Sequence, residues 1–326
     1  MLKGKKWCRL ILLSLIFLLI TQSVEKAQSQ DKFPTKPIDI IVPYGPGGGT
    51  DVVIRVVAAY LNKKWHVPVN VINKAGGNTI PARLEVFRSS PDGYTVLGDN
   101  ESGSMLGVTE KNLPFTTMDR TFICIVTTAP FCMFVHAPLP YKNLADLIGE
   151  VKKDPGNFTW TSLGGASPQD FVARQFFKAI DVNISATKPI MCKSGSEAAT
   201  LAAGGHAKMG ISTTSSSLPT ITGGLTRALA VTGKIRYPDL PNTPSTAELG
   251  YPSMSHVFWV GISGPPKMPS HIVAIWEKAL QELIKEPEFI SKLRNVGALP
   301  DYHNSKAAEE FVKGEVKEVT ILWGLK

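Results

Sequence analysis

The sequence predicts an α/β protein built on a mostly parallel sheet, and three observations carry that reading. First, the apolar run 38–42 is of strand length. It leads into the Gly- and Pro-rich loop 43–50, and Val52, Val53, Val56, Val57, Tyr60 and Leu61 then recur with helical spacing. Second, this succession of strand, glycine turn and helix returns along the chain, as alternating parallel sheets require. Third, 326 residues at 43% apolar content are enough for one large or two medium domains.

In chain order, the loop 45–50 delivers a helix N-terminus whose first amides have no partner within the helix. An anion placed over Gly47, Gly48, Gly49 and Thr50 is therefore held by backbone alone. Residues 67–73 form a second strand, 76–78 a second glycine turn, and 82–88 a helix. The turn 90–93 precedes a third strand at 94–98. Residues 99–104 follow that strand, so Asn100 and Ser102 share an edge with the first loop. Two apolar segments, 122–126 and 131–135, flank Ala129 and Pro130, and 144–151 reads as a helix. The unit then returns: strand 158–162, loop 163–168, helix 169–179, with Ser167 as N-cap and Pro168 as first helical residue. Residues 193–196 precede a helix at 197–203. A polar run, 212–217, is expected as a loop after a strand at 208–211. Strands at 225–232 and 257–262 flank a proline-rich connector, and helices at 271–285 and 307–323 close the chain.

Lys3, Lys5, Lys6 and Arg9 precede the apolar run 10–20, which describes a secretory signal cut between Ser29 and Gln30. The formal charge of +8 falls to +4 when Lys3, Lys5, Lys6, Arg9, Lys26 and Glu25 leave. No cluster of Lys and Arg interleaved with aromatics accompanies that excess, which argues against nucleic acid. The mature chain keeps Cys124, Cys132 and Cys192 without C-x-x-C spacing, so they read as buried small hydrophobes, with a Cys124–Cys132 bridge between neighbouring strands as the alternative. The six histidines are scattered singly, and no nucleophile elbow, phosphate loop or zinc-protease motif occurs; neither metal nor cofactor is expected. Thr50 stands where a dinucleotide fingerprint needs its third glycine.

The segments 34–38, 42–51, 91–95, 113–115, 162–168, 225–232 and 240–245 together resemble the extracytoplasmic receptors of tripartite tricarboxylate transporters, the Bug or TctC family. The resemblance covers nearly all of the mature chain. It implies a fold like the type II periplasmic binding proteins, with two doubly wound lobes around a ligand cleft. Lobe 1 would comprise 30–131 and 257–326, and lobe 2 would comprise 132–256. It further implies a monomeric periplasmic receptor, not an enzyme, that closes on a small organic carboxylate and delivers it to a two-subunit membrane permease.

By role, Gly47, Gly48, Gly49 and Thr50 would hold one carboxylate from lobe 1, while Ser162, Gly164 and Ser167 hold it from lobe 2. Asn100, Ser102, Ser196 and Thr213 would tune the distal end, and Tyr44 and Phe258 would cover the ligand. Asp51 reads as a first-turn acid stabilising its helix. The chain departs from the family pattern at Ala166 and Asp170, where Gly and His are usual, at 191–194, and at Lys208, which replaces an acid. Ligand contacts at the distal end are therefore expected to differ from those of relatives. Alternatives are an exported hydrolase using Ser102 or Ser167, for which no loop histidine supplies a base, and a receptor repurposed for sensing or for a non-carboxylate ligand.

Overall fold

The structure, a computed structural model, describes residues 33–324 apart from 48, 111, 165, 166 and 296. The signal segment and Gly48 therefore lie outside the described residues. Strand β1 (Ile38–Val42) feeds helix α1 (Gly49–Trp65), and β2 (Val69–Asn73) leads to α2 (Ile80–Phe87). Strand β3 (Thr95–Asn100) runs into α3 (Ser102–Thr109). After the long β4 (Thr121–His136) come α4 (Leu144–Lys153), β5 (Thr159–Ser162), α5 (Pro168–Ala179), β6 (Lys188–Met191) and α6 (Gly195–Ala203). Then follow β7 (Met209–Thr213), α7 (Thr214–Thr222), β8 (Thr226–Val231) and β9 (Val257–Gly264). Helices α8 (Ser270–Leu283) and α9 (Pro287–Asn295), strand β10 (Leu299–Asn304) and helix α10 (Ser305–Leu322) complete the chain.

The strands lie in the order β2-β1-β3-β9-β4-β7-β5-β6, with β8 and β10 also pairing with β4. Parallel pairs, β1 with β2 and β3 and β5 with β6 and β7, occupy the two wings, while β9 and β4 run antiparallel at the centre. Each wing is thus doubly wound, and its strands end at one edge.

Strand β4 joins the wings. The sequence reads it as two apolar segments, but it is one strand whose partner changes at its proline: Pro130 sits opposite Val257 of β9, and Phe131 opposite Thr213 of β7. Proline lacks the N–H of a central ladder residue, and here it falls where one ladder ends and the next begins. Cys124 and Cys132 consequently lie eight residues apart on the same strand, roughly 26 Å at 3.3 Å per residue, beyond the reach of a disulfide. Among the described residues Cys124, Cys132 and Cys192 are free and buried, and burial pushes their thiols up from the usual range.

The apolar core is divided as the strands are. One cluster packs Val53, Ile54, Val57 and Trp276 against β1, β3 and β9; another packs Phe176 and Phe177 of α5 with Trp160 of β5 and Met209 and Ile211 of β7. Phe258 touches both. Thr232 staples the second crossover: its N–H donates to Phe131 O at 2.8 Å and its hydroxyl to His256 O at 2.6 Å. Helix α10 is rooted by Ala308 and Val312 near β4 and β9, and its last turns pack Val319 and Trp323 on Phe171 of α5, in the other wing.

Candidate ligand site at the strand edges

The β1–α1 loop is shaped by Asp51. Its buried carboxylate accepts the Gly47 N–H at 2.8 Å, the Arg55 Nε–H at 2.9 Å and the Asn73 amide at 2.7 Å, while the same Asn73 amide donates to Tyr44 O at 3.0 Å. Burial works against this charge, yet the bonds from Arg55, Gly47 and Asn73 outweigh it and hold Asp51 below the usual carboxylate range. Gly47 has φ 84°, which a residue with a side chain rarely adopts. Asp51 therefore does more than complement a helix dipole: it fastens the loop to β2. One expectation changes accordingly. The Gly47 N–H is spent within the loop, leaving Gly49 and Thr50 as the amides that have no acceptor among the described residues.

Beside those amides stands a hydroxyl corner. The Tyr44 hydroxyl donates to Asn100 Oδ1 at 2.9 Å and contacts Ser102 Oγ; Ser102 also donates to Asn100 Oδ1 at 2.8 Å. The Asn100 amide donates to Thr50 Oγ1 at 3.1 Å, so Tyr44, Thr50, Asn100 and Ser102 form one group. Phe258 borders it, since a Cβ at Gly49 would stand 3.3 Å from the Phe258 ring.

On the second wing the β5–α5 loop repeats the plan with a different acid. Asp170 accepts from Ser162 Oγ at 2.5 Å, from Leu163 N at 3.1 Å and from Ser167 Oγ, while Ser167 caps α5 by accepting the Asp170 N–H at 3.2 Å. Gly164, at φ 97°, donates its N–H to Ser162 Oγ at 3.1 Å. Ser162, Gly164 and Ser167 are brought together as expected, but their donors point at Asp170 or at one another. They are not the open clamp that the sequence suggests, because a carboxylate of the chain already fills that N-terminus.

Thr213 bonds to Ser215 and Ser216, each at 3.1 Å, and a Cβ at Gly195 would lie 2.9 Å from Ser216 Oγ, so the β6–α6 and β7–α7 connections adjoin. Ser196 is exposed, and its carbonyl accepts from Thr200. The polar run 212–217 is not a loop: Ser and Thr are favoured at helix starts, and it ends β7 and begins α7. Lys208 lies at the far end of that strand and pairs with Glu150 at 2.8 Å, so its departure from the family pattern does not bear on the strand-edge loops.

Sequence reasoning missed Arg83. Its signal is a cation on the apolar stripe of α2, spaced with Val86 and Phe87. Among the described residues no group of three or more His, Cys, Asp or Glu side chains suits a metal, and Ser102, Ser162 and Ser167 bond to no histidine. No helix of the described residues is long and apolar enough to cross a membrane.

The model of the tripartite tricarboxylate transporter family receptor matches residues 53–323. A UPF0065 protein of Bordetella pertussis is 28% identical over 287 residues, 88% of each chain. The periplasmic binding protein BugD is 26% identical at a TM-score of 0.71, covering 90% of this chain and 98% of that one. Two Rhodopseudomonas palustris structures share the fold: MatC with bound malate (20% identity, TM-score 0.73, covering 89% and 100%) and a protein with adipate (23%, 0.74, covering 90% and 99%). The family match, spanning most of the chain, agrees with doubly wound wings whose loops gather at one edge: this chain belongs to the tripartite tricarboxylate transporter receptor family, whose members are periplasmic solute-binding receptors and not enzymes.

Proposed function

We propose that this receptor captures a small organic carboxylate between lobe 1 (30–131 and 257–326) and lobe 2 (132–256), and hands it to the permease of a tripartite tricarboxylate transporter. The observation that supports the reading best is the lobe-1 corner. The amides of Gly49 and Thr50, at the N-terminus of α1, stand beside the linked hydroxyls of Tyr44 and Ser102. Amides at a helix start that have no acceptor among the described residues suit an oxyanion, and the hydroxyls, bonded to Asn100, border that place. Each charge-assisted bond contributes about 1.5–3 kcal/mol, so a few suffice for micromolar binding, about −8.2 kcal/mol. The malate and adipate held by two fold relatives are of this class.

Closure has a support in β4, which is continuous through both lobes, and in the crossover at Thr232; a ligand that touches both lobes stabilises the closed form by its differential contacts. Lobe 2 would bring Ser196 and Thr213 to the distal end of the guest. The test is a thermal-shift and calorimetric screen of malate, adipate and benzoate with their amides. Stabilisation by at least one acid is expected; no response to any acid, with a response to neutral ligands, overturns the reading. Delivery is tested separately, by carboxylate uptake in cells with and without the receptor gene.

A further inference from the structure

Behind Tyr44 and Ser102 lies a charge cluster that the ligand contacts do not use. Arg83 is fully buried. Its Nε donates to Thr79 Oγ1 at 3.1 Å, its Nη1 to Asp99 Oδ1 at 2.7 Å, and its Nη2 to Asn100 Oδ1 at 3.3 Å and Ser102 Oγ at 3.1 Å. A Cβ at Gly103 would stand 2.7 Å from Nη1, so the guanidinium lies directly under the first turn of α3. A cation at a helix N-terminus opposes the dipole, and something negative must answer it.

Asp99 answers only in part, because it is shared. Arg120, equally buried, brings Nε to 2.9 Å from Asp99 Oδ2, and its Nη2 has no partner among the described residues; Ser263 Oγ donates to the same oxygen at 2.8 Å. The other acids nearby are Glu101 and Glu315. Glu315 contacts Ser104, Trp259 Nε1 at 3.3 Å and His256 Nδ1 at 3.4 Å. Burial pushes both carboxyls up to about 8 and His256 down to about 3, so near neutrality these three are uncharged. Two guanidiniums then face one carboxylate, and a buried surplus charge is costly until an anion approaches.

We propose that Arg83 is the positioning residue that makes this wall prefer an anion: through Ser102 and Asn100 it fixes the Ser102 and Tyr44 side chains beside the Gly49 and Thr50 amides, and it supplies the positive charge that a carboxylate answers and its neutral amide does not. Ser102 Oγ accepts from Arg83 and donates to Asn100 Oδ1, which also accepts from Arg83 and Tyr44, so the guanidinium fixes the geometry of both hydroxyls. The assignment rests on the carboxylate-receptor reading and adds to it the origin of charge selectivity.

The experiment titrates wild type, Arg83→Gln and Arg83→Lys with malate, adipate and benzoate and with the matching amides, alongside melting curves. Wild type is expected to favour acid over amide by roughly tenfold or more. Arg83→Gln loses that ratio, and Arg83→Lys, which keeps the charge, retains most of it. Loss of affinity for acid and amide alike, or an unchanged ratio in Arg83→Gln, overturns the assignment and leaves the receptor reading standing. A wild type that binds none of the acids overturns both.

Should Arg83→Gln fail to fold, a pH series on the wild type decides. Arg83, Asp99, Arg120, Tyr44 and His256 are the titratable groups facing Glu101 and Glu315. As the two glutamates ionise through pH 8 they cancel the surplus, so acid affinity falls about tenfold between pH 7 and 9 while amide affinity holds, and Glu315→Gln blunts the fall. An acid affinity that stays flat to pH 9 overturns the assignment.

Discussion

The β1–α1 and β5–α5 loops are built alike and equipped differently. Each bends at a glycine with positive φ, each opens a helix, and each is fastened by a first-turn aspartate. Asp51, however, takes its bonds from Gly47, Arg55 and Asn73, on the β2 side, and leaves the amides of Gly49 and Thr50 without an acceptor among the described residues. Asp170 takes the donors of the loop itself, Ser162, Leu163 and Ser167. What lies behind them differs too. The first loop adjoins the Arg83–Asp99–Arg120 cluster, the second the apolar side chains of Phe171 and Trp160. The same turn can thus present donors or consume them, depending on where its acid is satisfied.

The comparison can be broken most forcefully at Asp51. Asp51→Ala strands three donors, and we expect a loss of about 2–4 kcal/mol in urea unfolding together with loss of carboxylate binding. Unchanged stability would mean that the acid does not hold the loop. Asp170→Ala, the matched change, is expected to cost about 1–3 kcal/mol of stability, yet to tighten malate binding, because Ser162 and Ser167 hydroxyls become available; calorimetry that finds weaker binding would show Asp170 to be needed by the ligand.

A third difference is in pH response. Glu101 and Glu315 titrate near 8 when folded and near 4.5 when unfolded, so the folded state holds their protons: their contribution is complete below pH 4.5 and is lost as pH rises toward 8. His256 acts in reverse, its pKa lowered from 6.5 to about 3, so stability falls as pH drops through that window. Melting temperature should therefore peak in mildly acid solution, and Glu315→Gln should flatten the alkaline side; an unaltered alkaline slope would place the buried proton elsewhere. The smallest effect is reserved for Lys208→Met. The Lys208–Glu150 pair is partly exposed, so about 0–1 kcal/mol is expected with no change in ligand affinity, and any change would reconnect that strand end to the site.

Much of this was legible from residue order. The glycine turns, the Ser167 cap with Pro168 behind it, and the helices near 144–151, 271–285 and 307–323 are local signals, carried by backbone preference and a single periodicity. Strand β10 and helix α9 escaped notice because 287–304 mixes proline and charge without a clear repeat, and β10 exists by virtue of its ladder with Thr127 and Cys124 of β4. Pro130 looked like a break and is a change of partner.

Residue order alone settles the α/β class, the order of the strand-loop-helix units and the family, because period, turn chemistry and motif are properties of neighbours in the chain. Which donors are left without an acceptor is settled by contacts between distant segments. A hydrogen bond from Gly47 to Asp51 or from Ser167 to Asp170 uses a group that looks open in one dimension. The pairing of Arg83 with Asp99, Asn100 and Ser102 likewise joins residues 16 to 19 positions apart, and the burial that sets their charges arises only when helix and sheet close over them.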